Sequence, residues 1–162
     1  MQQGNSNVWC VSVTGYRYPL WNKMGHMVPV GRLRRTINDS SELSKLGENQ
    51  QALKLLDGEI AQAIRENRKV WICVLSRHAA VIADQMGDLR LVRQYRELCL
   101  AHDPDNPLTL LSLADVASRQ GESDLAKRYA ARSYELSVQR GTELDRAVIE
   151  SIIKQWPEVE KL

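Results

Sequence analysis

Cysteine is scarce: Cys10, Cys73 and Cys99 are the only three in 162 residues, odd in number and without C-x-x-C spacing. A disulfide framework is therefore not implied, and the thiols are expected to be reduced, in a cytoplasmic protein. No apolar run approaches the roughly 18 residues that a membrane-spanning helix needs, so no membrane partner is expected. The first ten residues lack the basic start and apolar stretch of a secretory signal. There is no glycine-rich phosphate loop and no H-E-x-x-H, and His26, His78 and His102 are scattered. His78 reads as a packing residue and His102 as a favourable charge near a helix C-terminus, while Cys73 and Cys99 read as small apolar residues rather than nucleophiles. The expectation is a chain with no catalytic residue, no metal and no cofactor. Net charge is only +2, which by itself points to neither nucleic acid nor lipid. What is present, 43% hydrophobic and 26% charged residues, suits one globular domain large enough to bury a core.

The chain divides in texture near residue 40. Arg17, Lys23, Arg32, Arg34 and Arg35 face Asp39 alone in residues 1–40, a net of +4, which leaves −2 for the remainder. That segment also holds Trp9, Tyr16, Tyr18 and Trp21 but almost no helical periodicity. Val8 to Val13 is a short β-type run interrupted by Gly15, Pro19 and Pro29. Residues 1–40 are accordingly expected to form a basic, aromatic-containing arm that is poorly ordered. Met24 and Met27 offer alternative starts within it.

From residue 41 the apolar residues recur at steps of three and four, the signature of amphipathic helices. One stripe runs through Ala52, Leu53, Leu56, Ile60 and Ala63, a second through Ile72, Leu75, Ala79, Ile82 and Ala83, and a third through Leu91, Tyr95, Leu98 and Cys99. Asn106 followed by Pro107 predicts an N-cap with proline at the first helical position. Thr142 with Asp145 predicts a capping box, and Pro157 a helix stop. Six helices are expected, with a short one before Gly47.

A fixed period organises these helices. Offsetting the chain by 34 residues lays Ala80, Ala83, Gly87, Leu91 and Tyr95 on Ala114, Ala117, Gly121, Leu125 and Tyr129. Glycine ends a helix in a left-handed turn that side chains resist, which lets the next helix fold back antiparallel. The alanines keep helix faces thin, so that two backbones approach closely.

With these features the chain resembles the tetratricopeptide repeat family, whose unit is a 34-residue pair of antiparallel helices. In that family a small residue stands seven before the glycine, another five after it, and a proline often seventeen after it. Ala80, Gly87 and Pro104 match, with the bulkier Val92 at the second small position; Ala114, Gly121 and Ala126 match in the next unit. Gly47 and Ala52 look like the second half of an earlier unit, 40 residues ahead of Gly87. Ile64 and Val138 replace the proline in the outer units, and Ala83 and Ala117 stand where the family often has an aromatic residue. The implied fold is all-α: a right-handed helical-hairpin solenoid of about three hairpins over residues 41–162, closed by a C-terminal capping helix.

The resemblance also implies a function. In the family the first helix of each pair lines a concave groove that accepts a peptide or partner helix. Carried over by spacing, the groove residues are Val74, Arg77, Val81, Asp84 and Gln85, then Leu108, Leu111, Asp115, Ser118 and Arg119. The Lys and Asn set with which one subclass clamps a terminal carboxylate is absent, apart from Arg77. The expected role is a non-catalytic adaptor or scaffold that binds a protein or peptide; no oligomeric state is implied. The alternative is a nucleic-acid-associated protein using the basic arm, whose aromatic residues would stack on bases. A further possibility is that the arm itself fills the groove.

Overall fold

The structure, a computed structural model, describes residues 9–11, 17–19 and 30–161. The chain divides into two compact units, Met1–Val30 and Gly31–Leu162. In the first, strand β1 (Trp9–Val11) pairs antiparallel with β2 (Arg17–Pro19), Cys10 opposite Tyr18. The β-type run around Val8 to Val13 thus contains a strand; the expectation that residues 1–29 are poorly ordered concerns mostly residues outside the described ones.

The second unit is helical throughout: α1 (Val30–Lys45), α2 (Asn49–Arg65), α3 (Lys69–Gln85), α4 (Leu89–His102), α5 (Pro107–Arg119), α6 (Ser123–Arg140) and α7 (Glu143–Gln155), followed by a 3₁₀ turn over Pro157–Lys161. Consecutive helices pack against each other from α2 to α7, and the α3–α4 and α5–α6 hairpins are the most extensively packed pairs. Arg32 on α1 donates to Glu59 on α2 at 2.8 Å. The result is three hairpins and a closing helix, a helical-hairpin solenoid.

One expectation fails at the front. Residues 30–40 belong to α1, a helix of 16 residues rather than a short one, so the boundary placed at residue 40 moves back to Val30. The apolar stripe of α1 is broken because two of its buried positions are hydroxyls: Thr36 and Ser40. They enter the core by bonding back onto their own helix, Thr36 to the Arg32 carbonyl and Ser40 to that of Ile37. The basic cluster Arg32, Arg34 and Arg35 is therefore helical, and Arg32 is ion-paired.

The hairpin turns share one geometry. At Gly87 (φ +73°) the amide donates to the Asp84 carbonyl and the Asp88 amide to that of Ala83. Gly47 (φ +81°) and Gly121 (φ +80°) repeat this double closure. It occurs a fourth time between hairpins, at Asn67 (φ 52°), where asparagine tolerates the left-handed region better than most side chains. The predicted caps are present: Asn106 accepts from the Thr109 amide, and Thr142 with Asp145 forms the capping box.

The core runs along the stack. Ser40, Ala80 and Ala114 are all 0% exposed, each seven residues before its turn glycine. Cys73 and Cys99 are buried as expected, where α3, α4 and α5 meet: Cys73 donates to the Cys99 carbonyl at 3.5 Å, and the Cys99 sulfur lies 3.4 Å from the Thr109 hydroxyl. The bond with Cys99 and burial push the Cys73 thiol above the usual cysteine range. Tyr95 ties α4 to α2 by donating to Asp57 at 2.7 Å.

Two glycine substitutions are expected to have opposite signs. Gly87→Val forces a β-branched side chain into φ +73° and costs about 2 kcal/mol or more. Gly58, exposed in the middle of α2 with open space at its Cβ position, gains about 1 kcal/mol as Gly58→Ala. Thermal melts of the two variants check this; equal midpoints contradict the left-handed turn.

Candidate functional site

The face to consider is made by the first helix of each hairpin, because α2, α4 and α6 pack between successive first helices. On α3, beyond the exposed Lys69 and Val70 of its first turn, the residues turned from the core are Val74, Arg77, His78, Val81, Asp84 and Gln85. Helical geometry sorts them into three rows of residues seven apart: Val74 with Val81, Arg77 with Asp84, and His78 with Gln85. Contacts fix which way each row looks. His78 and Gln85 face α1, since Ser41 lies 3.2 Å from His78 Nε2 and the Ser44 hydroxyl lies 2.8 Å from Gln85 Oε1, as well as 2.7 Å from Asn49 Oδ1. Asp84 faces α5, where Arg119 donates to it at 2.7 Å. Val74 and Val81, both half-buried, lie between the two seams.

The same arrangement recurs on α5, 34 residues along. Arg119 occupies the place of Gln85 and looks back to α3. Leu108 and Asp115, both half-buried, take the middle row. Leu111 takes the row directed at the closing helix, and it packs, with Leu108, on the C-terminal cluster that includes Val148, Ile152 and Trp156. Ser118 is exposed. The ten residues predicted from spacing are thus all exposed or half-buried on one stripe of α3 and one of α5, but they are not equivalent. Val74, Val81, Leu108 and Asp115 form the floor, while Asp84, Gln85 and Arg119 are seam residues engaged with neighbouring helices.

Spacing did not disclose these seams. Ser44–Gln85 and Asp84–Arg119 are the same contact in successive units, once neutral and once ionic. Asp115, 3.6 Å from Arg119, completes a small charge cluster. The hydrogen bond that Arg119 donates to Asp84 holds its guanidinium even further above its ordinary value. Both partners of the Asp84–Arg119 pair are well exposed, and such pairs contribute less than about 1 kcal/mol. They align helices more than they stabilise them. His78 and Ser41 were also missed as site residues, His78 because a lone histidine on an apolar helix reads as packing, Ser41 because α1 was not recognised as a full helix. Burial holds the His78 imidazole below its ordinary pKa.

Elsewhere the surface offers less. A hollow of about 410 Å³ lies at the first turn, lined by residues 47–51 and Met86. Another of about 290 Å³ lies beside Tyr134, Val138 and Val159 on α6 and the 3₁₀ turn. Among the described residues, no three of His, Cys, Asp and Glu are grouped to hold a metal ion, and no helix is long and apolar enough to cross a membrane.

No protein-family model matches the sequence, and no curated protein matches it. Solved structures do. The chain is similar to PcrH in complex with the chaperone binding region of PopD, with a TM-score of 0.61 and 12% identity over 85% of this chain and 98% of that one. It is also similar to PcrH in complex with the chaperone binding region of PopB, with a TM-score of 0.58 and 10% identity over 78% of this chain and 96% of that one. At such identity the likeness concerns the fold, a tetratricopeptide-like stack of helical hairpins.

Proposed function

We propose that this chain is a non-catalytic, cytoplasmic protein-binding module, a divergent member of the tetratricopeptide repeat family, that holds an extended segment of a partner protein on the face formed by α1, α3 and α5. The observation that carries the reading is the floor of that face: Val74, Val81 and Leu108 remain half-buried, flanked by seams whose polar groups already engage one another. A surface of this kind gains free energy by covering apolar rows, at about 25 cal/mol per Å², and its polar borders fix the segment's direction. The solved structures of the same fold, PcrH with segments of PopB and of PopD, are consistent with such a task.

Adaptor or chaperone action then follows from holding the segment rather than from chemistry on it. The two cysteines beneath the face are buried, and its one histidine is bonded to a serine whose proton is committed elsewhere. Nucleic-acid binding through the arm draws no support from Arg32, which is paired with Glu59.

A photo-crosslinking residue at Val81 is expected to trap discrete partner adducts in cells, whereas the same residue at Gln94, exposed on α4, is not. Equal adducts at both positions, or none at Val81 with the protein folded, contradict the assignment.

A further inference from the structure

We infer that His78 takes a hydrogen bond from a main-chain N–H of the bound segment, its ring Nδ1 acting as the acceptor; this rests on the groove reading above. Ser41 has a single hydroxyl proton, and its Oγ lies 2.7 Å from the Ile37 carbonyl, which only accepts. That proton is therefore spent within α1. The 3.2 Å contact between Ser41 Oγ and His78 Nε2 requires a donor, and the ring must supply it. A neutral imidazole carries one N–H, so Nδ1 is left bare.

Nδ1 has no hydrogen-bond partner among the described residues, nor is it one of the side-chain atoms sealed from solvent without one. It belongs to a half-buried ring standing one turn from Val74 and from Val81, the two floor residues that α3 supplies. The adjacent Arg77 is itself engaged, and two turns on Asp84 is paired with Arg119 while Gln85 lies 2.8 Å from the Ser44 hydroxyl. An acceptor held at the border of an apolar row is complementary to an extended strand, whose N–H groups emerge in the plane of the chain while alternate side chains cover the valines. Burial favours the neutral ring and so keeps the acceptor available.

The test uses the full chain labelled with ¹⁵N-histidine and multiple-bond ¹H–¹⁵N spectra, with the His78 signals assigned by their loss in His78→Gln. In the free protein near neutral pH the pattern is expected to be that of the Nε2–H tautomer, and Ser41→Ala is expected to relax it to a mixture. The probe is a fifteen-residue peptide selected on the full chain from a random phage-displayed library and then synthesised. Its addition is expected to shift the Nδ1 resonance upfield, and His78→Phe to weaken it roughly two- to tenfold, the range of one net hydrogen bond. Ser41→Ala with His78→Phe is expected to bind as the single Phe variant does, separating lost recognition from a disturbed seam. An Nδ1–H tautomer in the free protein overturns the inference. So does a peptide that perturbs α3 and α5 amides yet leaves Nδ1 unmoved and tolerates His78→Phe; that result spares the groove. A library yielding no binder overturns the groove reading and this role with it.

Discussion

The structure depends on how closely its helices approach at the positions seven residues before each turn glycine. Ser40, Ala80 and Ala114 carry almost no side chain there, and each is completely enclosed. A small residue at that point lets the backbone of the next helix come within the short range at which dispersion contacts accumulate. The left-handed turn then sends the chain straight back along the helix it has just left. Thinness and turn need each other: without the turn the second helix would not return, and without the thin face it would not seat.

The open face is a consequence of that packing. Because second helices fill the space behind successive first helices, the first helices are left side by side with one stripe uncovered. Their mutual contacts are then confined to the borders of the stripe. Ser44–Gln85 and Asp84–Arg119 occupy the same register in consecutive units, so the seam is a property of the repeat and not of either pair. Polar groups engaged within the seams leave a middle row whose apolar members, Val74, Val81 and Leu108, are half-buried.

Much of this was legible in the sequence, and what was not has definite causes. The 34-residue offset located α3 to α6, since alanine and glycine at those positions have no other economical explanation. Asn106–Pro107 and Thr142–Asp145 announced their helices because capping chemistry is local. The first helix was expected to be short because its buried Thr36 and Ser40 are polar by type, though Ser40 stands seven before Gly47 as Ala80 stands seven before Gly87. Asn67 escaped because its left-handed conformation is expressed only once flanking helices fix the turn. The floor residues followed from spacing alone. The seams did not, because contacts between helices 35 or 41 residues apart depend on the angle at which hairpins stack. His78 needed the proton count at Ser41, which no sequence pattern contains.

The most direct measurement is urea unfolding of Ala80→Leu and Ala114→Leu beside Gln94→Leu, an exposed site on α4. Three added carbons at an enclosed helix crossing are expected to cost about 1–3 kcal/mol or more through overpacking, and to leave the α4 surface variant near wild type. If the alanine sites accept leucine with no fall in midpoint, the helices do not approach as described, and the stacked hairpins and their open face lose their basis.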